Sequence, residues 1–133
     1  VIGLGYVGLP LAVEFAKKGF KVYGIDVNQE KIEMLRACKS YIMDVSSEEL
    51  AVVIKNGKFE ASTDFSMLEK VDTISICVPT PLRKTRDPDI SYIVKAVDEI
   101  EKYIQKGQLI VLESTTYPGT TDEVMLERLQ KNG

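Results

Sequence analysis

The sequence predicts an α/β fold, a doubly wound, three-layer αβα arrangement around a parallel sheet. Three observations predict it. Strand-length apolar runs alternate with helical repeats along the chain. The chain opens on Gly3-Leu-Gly5-Tyr-Val-Gly8, a G-x-G-x-x-G spacing. The next apolar run ends on an acid, Asp26.

Each element has its own reason. Val1-Ile2 reads as the stub of a first strand that would normally run about four to six residues. The chain is therefore expected to be cut inside that strand, and it begins at Val1 rather than Met. Val7, Leu11 and Phe15 recur at helical spacing and predict the first helix between the two strands. Pro10 sits in its first turn, where a missing N–H is tolerated. Residues 21–26 read as the second strand, with Gly19 and Gly24 punctuating the return into it. Asn28 caps a helix carrying Ile32 and Leu35.

Ser46-Ser-Glu-Glu49 has the capping-box pattern ahead of Leu50, Val53 and Ile54, and Gly57 closes that helix. Residues 58–62 make the third strand, and Asp64 or Ser66 starts a brief helix to Lys70. Residues 73–78 form the fourth strand, with Ile74, Ile76 and Val78 on one face. Pro79-Thr80-Pro81 ends it, and residues 82–89 make a charged loop. Asp89 caps a long helix with the core stripe Ile93, Val97, Ile100 and Ile104, terminated by Gly107. Residues 108–113 form the fifth strand. Thr120-Thr-Asp-Glu123 opens a last helix with Val124 and Leu129 inward.

Right-handed crossovers give a Rossmann-type strand order of 3-2-1-4-5. The order reverses between the first and fourth strands, where ligands bind at the carboxyl ends. Three segments converge there: the glycine loop, Val78-Pro79-Thr80, and Ser114-Thr115-Thr116. Gly3 permits a tight turn, Gly5 lets a pyrophosphate approach the backbone, and Gly8 lets the helix pack close. The helix N-terminus favours the anion. Asp26 accepts from an adenosine ribose and favours NAD over NADP, whose 2′-phosphate would meet a carboxylate. Lys31 can reach the adenosine end or serve as a surface lysine. Thr80 and Thr115 offer hydroxyls at the rim, or a turn and a cap respectively. Tyr6 and Tyr117 can pack near the cofactor. Glu113 reads as structural, and Arg83-Lys84-Arg86 as either a phosphate contact or a solvated loop.

Composition narrows the classes further. The 133 residues are 44% hydrophobic and 28% charged, which suits one globular domain. A net charge of −3 gives no electrostatic case for nucleic acid or an anionic membrane. No apolar run approaches the roughly 20 residues of a membrane span. Cys38 and Cys77 make no disulfide framework, so a reducing, cytoplasmic setting is expected, with Cys77 an inert strand thiol. With no histidine, a His base, a His–Ser triad and most zinc sites are excluded within these residues, and no metal is expected.

Four segments taken together resemble the nucleotide-sugar 6-dehydrogenases, the family that includes UDP-glucose 6-dehydrogenase. They are residues 1–10, Gly24-Ile-Asp-Val-Asn28, Cys77-Val-Pro-Thr-Pro81 and Glu113-Ser-Thr-Thr-Tyr-Pro-Gly119. The resemblance covers the family's N-terminal NAD-binding domain, residues 1–133. Residues 82–89 look most like the branch acting on UDP-N-acetylglucosamine or UDP-N-acetylmannosamine. The resemblance implies two successive oxidations of a sugar C6 alcohol, with two NAD reduced and a cysteine carrying a thiohemiacetal and then a thioester. It implies NAD contacts at Gly3, Gly5, Gly8, Asp26, Lys31 and Thr80, and Tyr6, Val7, Val78, Pro79 and Thr115 are expected to join them at the cofactor. It also implies that Thr115 helps position the catalytic water. The family's catalytic glutamate, lysine, asparagine and cysteine fall beyond residue 133, as does its sugar-binding domain. This chain is thus expected to bind NAD and turn nothing over, and the whole protein to be a homodimer or larger oligomer. A β-hydroxyacid or 6-phosphogluconate type dehydrogenase, or a non-catalytic NAD sensor, are the alternatives.

Overall fold

The structure is a computed structural model that describes residues 1–113 and 125–130. The chain divides into two compact units, 1–64 and 65–133.

In the first unit, helix α1 (Gly8–Lys17) leads to strand β1 (Val22–Ile25), α2 (Gln29–Arg36), α3 (Ser47–Lys55) and strand β2 (Phe59–Ser62). The stub ahead of α1 does pair. Ile2 bridges Ile25 in parallel, Ile25 N–H donates to the Val1 carbonyl at 2.8 Å, and Gly3 N–H donates to the Ile25 carbonyl at 2.8 Å. On its other edge β1 pairs in parallel with β2, Val22 opposite Phe59 and Ile25 opposite Ser62. The expected 3-2-1 neighbours are therefore in place within this unit.

Local chemistry sets the helix ends. The Asn28 side chain accepts from Lys31 N–H, and Ser46 and Glu49 close the expected capping box. All three helices finish in the same Schellman pattern, in which two successive N–H groups reach back to carbonyls of the last turn. The pairs are Gly19 to Ala16 with Phe20 to Phe15, Cys38 to Leu35 with Lys39 to Met34, and Gly57 to Ile54 with Lys58 to Val53. The middle residue needs positive φ, which glycine supplies at Gly19 (96°) and Gly57 (77°) but a cysteine supplies at Cys38 (59°). We expect Cys38→Gly to stabilise the protein by roughly 0.5–1 kcal/mol, since relief of left-handed strain exceeds the added unfolded-state entropy. Chemical denaturation checks this, and a lower midpoint contradicts it.

In two places the packing of this unit departs from the apolar and glycine pattern of the sequence. The buried face of α1 is Leu9, Ala12, Val13 and Ala16; Val7 is exposed, Leu11 half-buried and Phe15 exposed. Phe15 instead packs edge-on against Phe20, ring centroids 6.2 Å apart, as the apolar clasp of the Schellman end. Gly24 is not punctuation. It lies inside β1, where an added Cβ would come within 2.9 Å of the Phe59 ring and 3.0 Å of Leu4 Cδ1. The core around it is Leu4, Leu9, Val13, Ile32, Leu35, Leu50, Val53 and Phe59.

In the second unit, a 3₁₀ helix (Phe65–Lys70) precedes strand β3 (Thr73–Ile76), α4 (Ser91–Glu101) and strand β4 (Leu109–Leu112). β3 and β4 pair in parallel, Thr73 opposite Leu109, so the expected 4-5 neighbours are in place here. The fourth strand is shorter than expected, and Val78 lies beyond it. Ile74, Ser75 and Ile76 are all buried, so both faces of β3 are covered. Helix α4 starts after Ile90, with Asp89 Oδ1 accepting from Ser91 N–H at 2.9 Å one step before the cap position. It buries Ile93, Val97 and Ile100 but ends at Glu101. Ile104 follows the helix, and Gly107 (φ 91°) turns the chain into β4 instead of terminating α4. A short helix α5 (Glu127–Leu129) packs on α4, with Arg128 2.7 Å from Asp98. Leu129 is half-buried and Met125 carries the buried contact. The expected helix start at Thr120–Glu123, and Val124, lie outside the described residues.

Candidate functional site

The glycine loop leaves the stub at Gly3, whose φ of 90° turns the chain as the motif requires. Leu4 buries its side chain completely in the core and has both backbone groups held. Its N–H donates to Asp26 Oδ2 at 2.9 Å, and its carbonyl accepts from the Tyr41 hydroxyl. At Gly5 an added Cβ would meet nothing within 4 Å, so the backbone faces open space where a pyrophosphate must come close. Tyr6 and Val7 follow at 81% and 56% exposure, and Gly8 is buried at the start of α1.

The three helices of this unit differ at their N-termini. α2 and α3 carry side-chain caps and acids in their first turns. α1 has neither a side-chain cap nor an acid there. Its positive end is left available to an anionic group. An open Gly5, a positive-φ Gly3 and an uncapped α1 fit the pyrophosphate of a dinucleotide.

Asp26 does two tasks at the end of β1. Oδ2 takes the Leu4 N–H, and Oδ1 takes the Asn28 N–H at 2.9 Å. Each oxygen retains acceptor capacity for a ribose hydroxyl. Asn28 in turn caps Lys31, whose Nζ lies 5.5 Å from the centre of the Tyr41 ring. Leu4, Asp26, Asn28, Lys31 and Tyr41 are thus joined through one network.

The network includes a residue that sequence reasoning missed. Tyr41 lies between α2 and α3, where no periodicity or motif marks it. Burial, with the nearby Asp26 charge adding, pushes its phenol well above the ordinary range, so it stays a donor at neutral pH.

In the second unit, Val78, Pro79 and Thr80 follow the carboxyl end of β3, with Val78 and Thr80 half-buried and Pro79 exposed. Cys77 is buried, and that burial pushes its thiol up to about 11, so it is an inert thiol at neutral pH. Glu113, at the end of β4, is exposed and donates its N–H to the Ile76 carbonyl at 2.9 Å. The charged loop is a small hairpin: Leu82 bridges Pro88, and Arg83 N–H donates to the Asp87 carbonyl at 2.8 Å. Arg83 also lies 3.5 Å from Asp89, while Lys84 and Arg86 are exposed. The Ser91 N–H, with its hydroxyl and Arg83 adding, holds the Asp89 carboxyl below the usual range. Thr115 lies outside the described residues. Among the described residues no cluster could hold a metal, and no helix is long and apolar enough to cross a membrane.

The model of the UDP-glucose/GDP-mannose dehydrogenase family, NAD binding domain, matches residues 1–133. The chain belongs to that family. NAD is therefore the cofactor of this Rossmann-type domain. The chain is 41% identical over 133 residues to UDP-N-acetyl-D-glucosamine 6-dehydrogenase of Pseudomonas aeruginosa, covering 98% of this chain and 30% of that protein. It is 38% identical over 126 residues to UDP-N-acetyl-D-mannosamine dehydrogenase of Campylobacter jejuni, covering 93% of this chain and 30% of that one. Among solved structures it resembles a ternary complex of GDP-mannose dehydrogenase from Pseudomonas aeruginosa, with a TM-score of 0.91 and 32% identity over 96% of this chain and 30% of that one. The chain thus spans about a third of the length of these family members.

Proposed function

We propose that residues 1–133 act as one NAD-binding domain of a nucleotide-sugar 6-dehydrogenase. Gly3, Gly5, Gly8 and the α1 N-terminus take the pyrophosphate. Tyr6 and Val7 flank it, and Asp26 and Lys31 take the adenosine ribose. Val78, Pro79, Thr80 and Thr115 are proposed as further cofactor contacts, with Thr115 also helping to position the catalytic water. Bound NAD supplies the hydride acceptor. The observation that carries this reading is the Asp26 carboxylate, 2.9 Å from the backbone of the glycine loop.

The substrate proposed for the whole protein is a UDP-N-acetylhexosamine, of the glucosamine or mannosamine type, oxidised at C6 to the uronate for polysaccharide biosynthesis. The curated relatives quoted above support that class by name. UDP-glucose is the competing sugar. We propose that neither cysteine of these residues is the nucleophile: Cys77 is buried, and Cys38 serves a helix end. The whole protein is proposed to work in the cytoplasm as a homodimer or larger oligomer.

Assay of the whole enzyme carrying this domain tests the reading. Two NADH per sugar are expected, with higher kcat/KM for an N-acetylated UDP-hexosamine than for UDP-glucose. A preference for UDP-glucose overturns the sugar assignment. NADH formation by the 133 residues alone overturns the division of labour.

A further inference from the structure

We propose that Tyr41 is a positioning residue for the cofactor loop, its hydroxyl fixing the Leu4–Gly5 peptide so that the Gly5 N–H is aimed at the pyrophosphate. This rests on the reading of the loop as the NAD site.

The argument starts from peptide geometry. In a planar trans peptide the carbonyl and the following N–H point in opposite directions. The Tyr41 hydroxyl holds the Leu4 carbonyl, so the Gly5 N–H of that peptide points away from Tyr41. Asp26 holds the preceding peptide through the Leu4 N–H. The Leu4 side chain is fully buried, and this fixes the loop from a third direction. The Gly5 backbone, where a Cβ would meet nothing within 4 Å, is left open to the ligand.

Tyr41 has a second contact with the same site. Lys31 Nζ lies 5.5 Å from the centre of its ring. The hydroxyl edge thus serves the pyrophosphate end of the site, and the ring face seats a cation at the adenosine end. Glycine is the most permissive residue in the backbone, so a loop with Gly3 and Gly5 on either side of Leu4 would otherwise sample many conformations. A peptide held in its bound orientation beforehand spares the ligand that ordering cost.

Tyr41→Phe removes the hydroxyl and keeps the ring. Calorimetric titration with NAD, ADP and adenosine separates the two contacts. The expected result is a loss of about 3- to 10-fold in NAD and ADP affinity, the size of one hydrogen bond, with adenosine binding unchanged. Tyr41→Leu, which also removes the seat of Lys31, is expected to weaken adenosine too. The ratio of the ADP loss to the adenosine loss is the decisive readout, because general loosening of the fold would move both. Native NAD affinity in Tyr41→Phe, or equal losses for ADP and adenosine, overturns the proposal and leaves the NAD site standing. Absence of NAD and ADP binding by the unsubstituted protein overturns the NAD site itself.

Discussion

Asp26→Ala is expected to weaken NAD binding by about 10- to 100-fold, the range for a hydrogen bond made by a charged acceptor. It is also expected to abolish discrimination against NADP, since no carboxylate then opposes a 2′-phosphate. The same change disturbs the free protein. Leu4 is fully buried, and its N–H loses the Asp26 acceptor, a loss of roughly 1–3 kcal/mol in stability. The Asn28 N–H is exposed and can turn to water. Asp26→Asn sorts these effects. Its amide has one acceptor oxygen where the carboxylate uses two, so it can satisfy Leu4 or Asn28 but not both. It should recover part of the stability and little of the cofactor preference. Thermal unfolding beside titration reads both quantities. A stable Asp26→Ala that still prefers NAD contradicts the assignment.

Gly24→Ala is expected to destabilise the first unit by roughly 1–3 kcal/mol, the usual result of forcing a methyl group into a packed core. The new Cβ would sit 2.9 Å from the Phe59 ring, and Phe59 is itself buried. The other neighbour, Leu4 Cδ1 at 3.0 Å, belongs to the residue whose backbone Asp26 and Tyr41 hold. Displacing it should therefore loosen the glycine loop as well, and NAD affinity should fall with stability. Phe59→Leu on the Gly24→Ala background makes room and should restore part of both. An unchanged melting temperature for Gly24→Ala would show that the close approach is not constraining.

The features legible in the sequence were those written in short stretches of it. Asn28, Ser46 and Glu49 act on N–H groups within three residues, so their caps could be read directly. Gly19 and Gly57 mark helix ends because their φ values exclude most other residues. The glycine motif and Asp26 belong to the same class. Features decided by distant neighbours were misread. The first helix, GLPLAVEFAK, is apolar around much of its circumference and offers two stripes. Packing selects Leu9, Ala12, Val13 and Ala16, a choice that periodicity cannot make. Gly24 looked like turn punctuation because its reason for being glycine is a phenylalanine on the next strand. Ile104 continued the α4 stripe in register, but the helix stops at Glu101. Tyr41 had no local signature, since its partners are Leu4, 37 positions earlier, and Lys31.

The most direct test of the account is calorimetric titration of this protein with NAD and with NADP. A bound NAD, tighter than NADP by about tenfold or more and with that gap closed in Asp26→Ala, is the predicted result. Equal affinity for the two cofactors, or binding of neither, contradicts it.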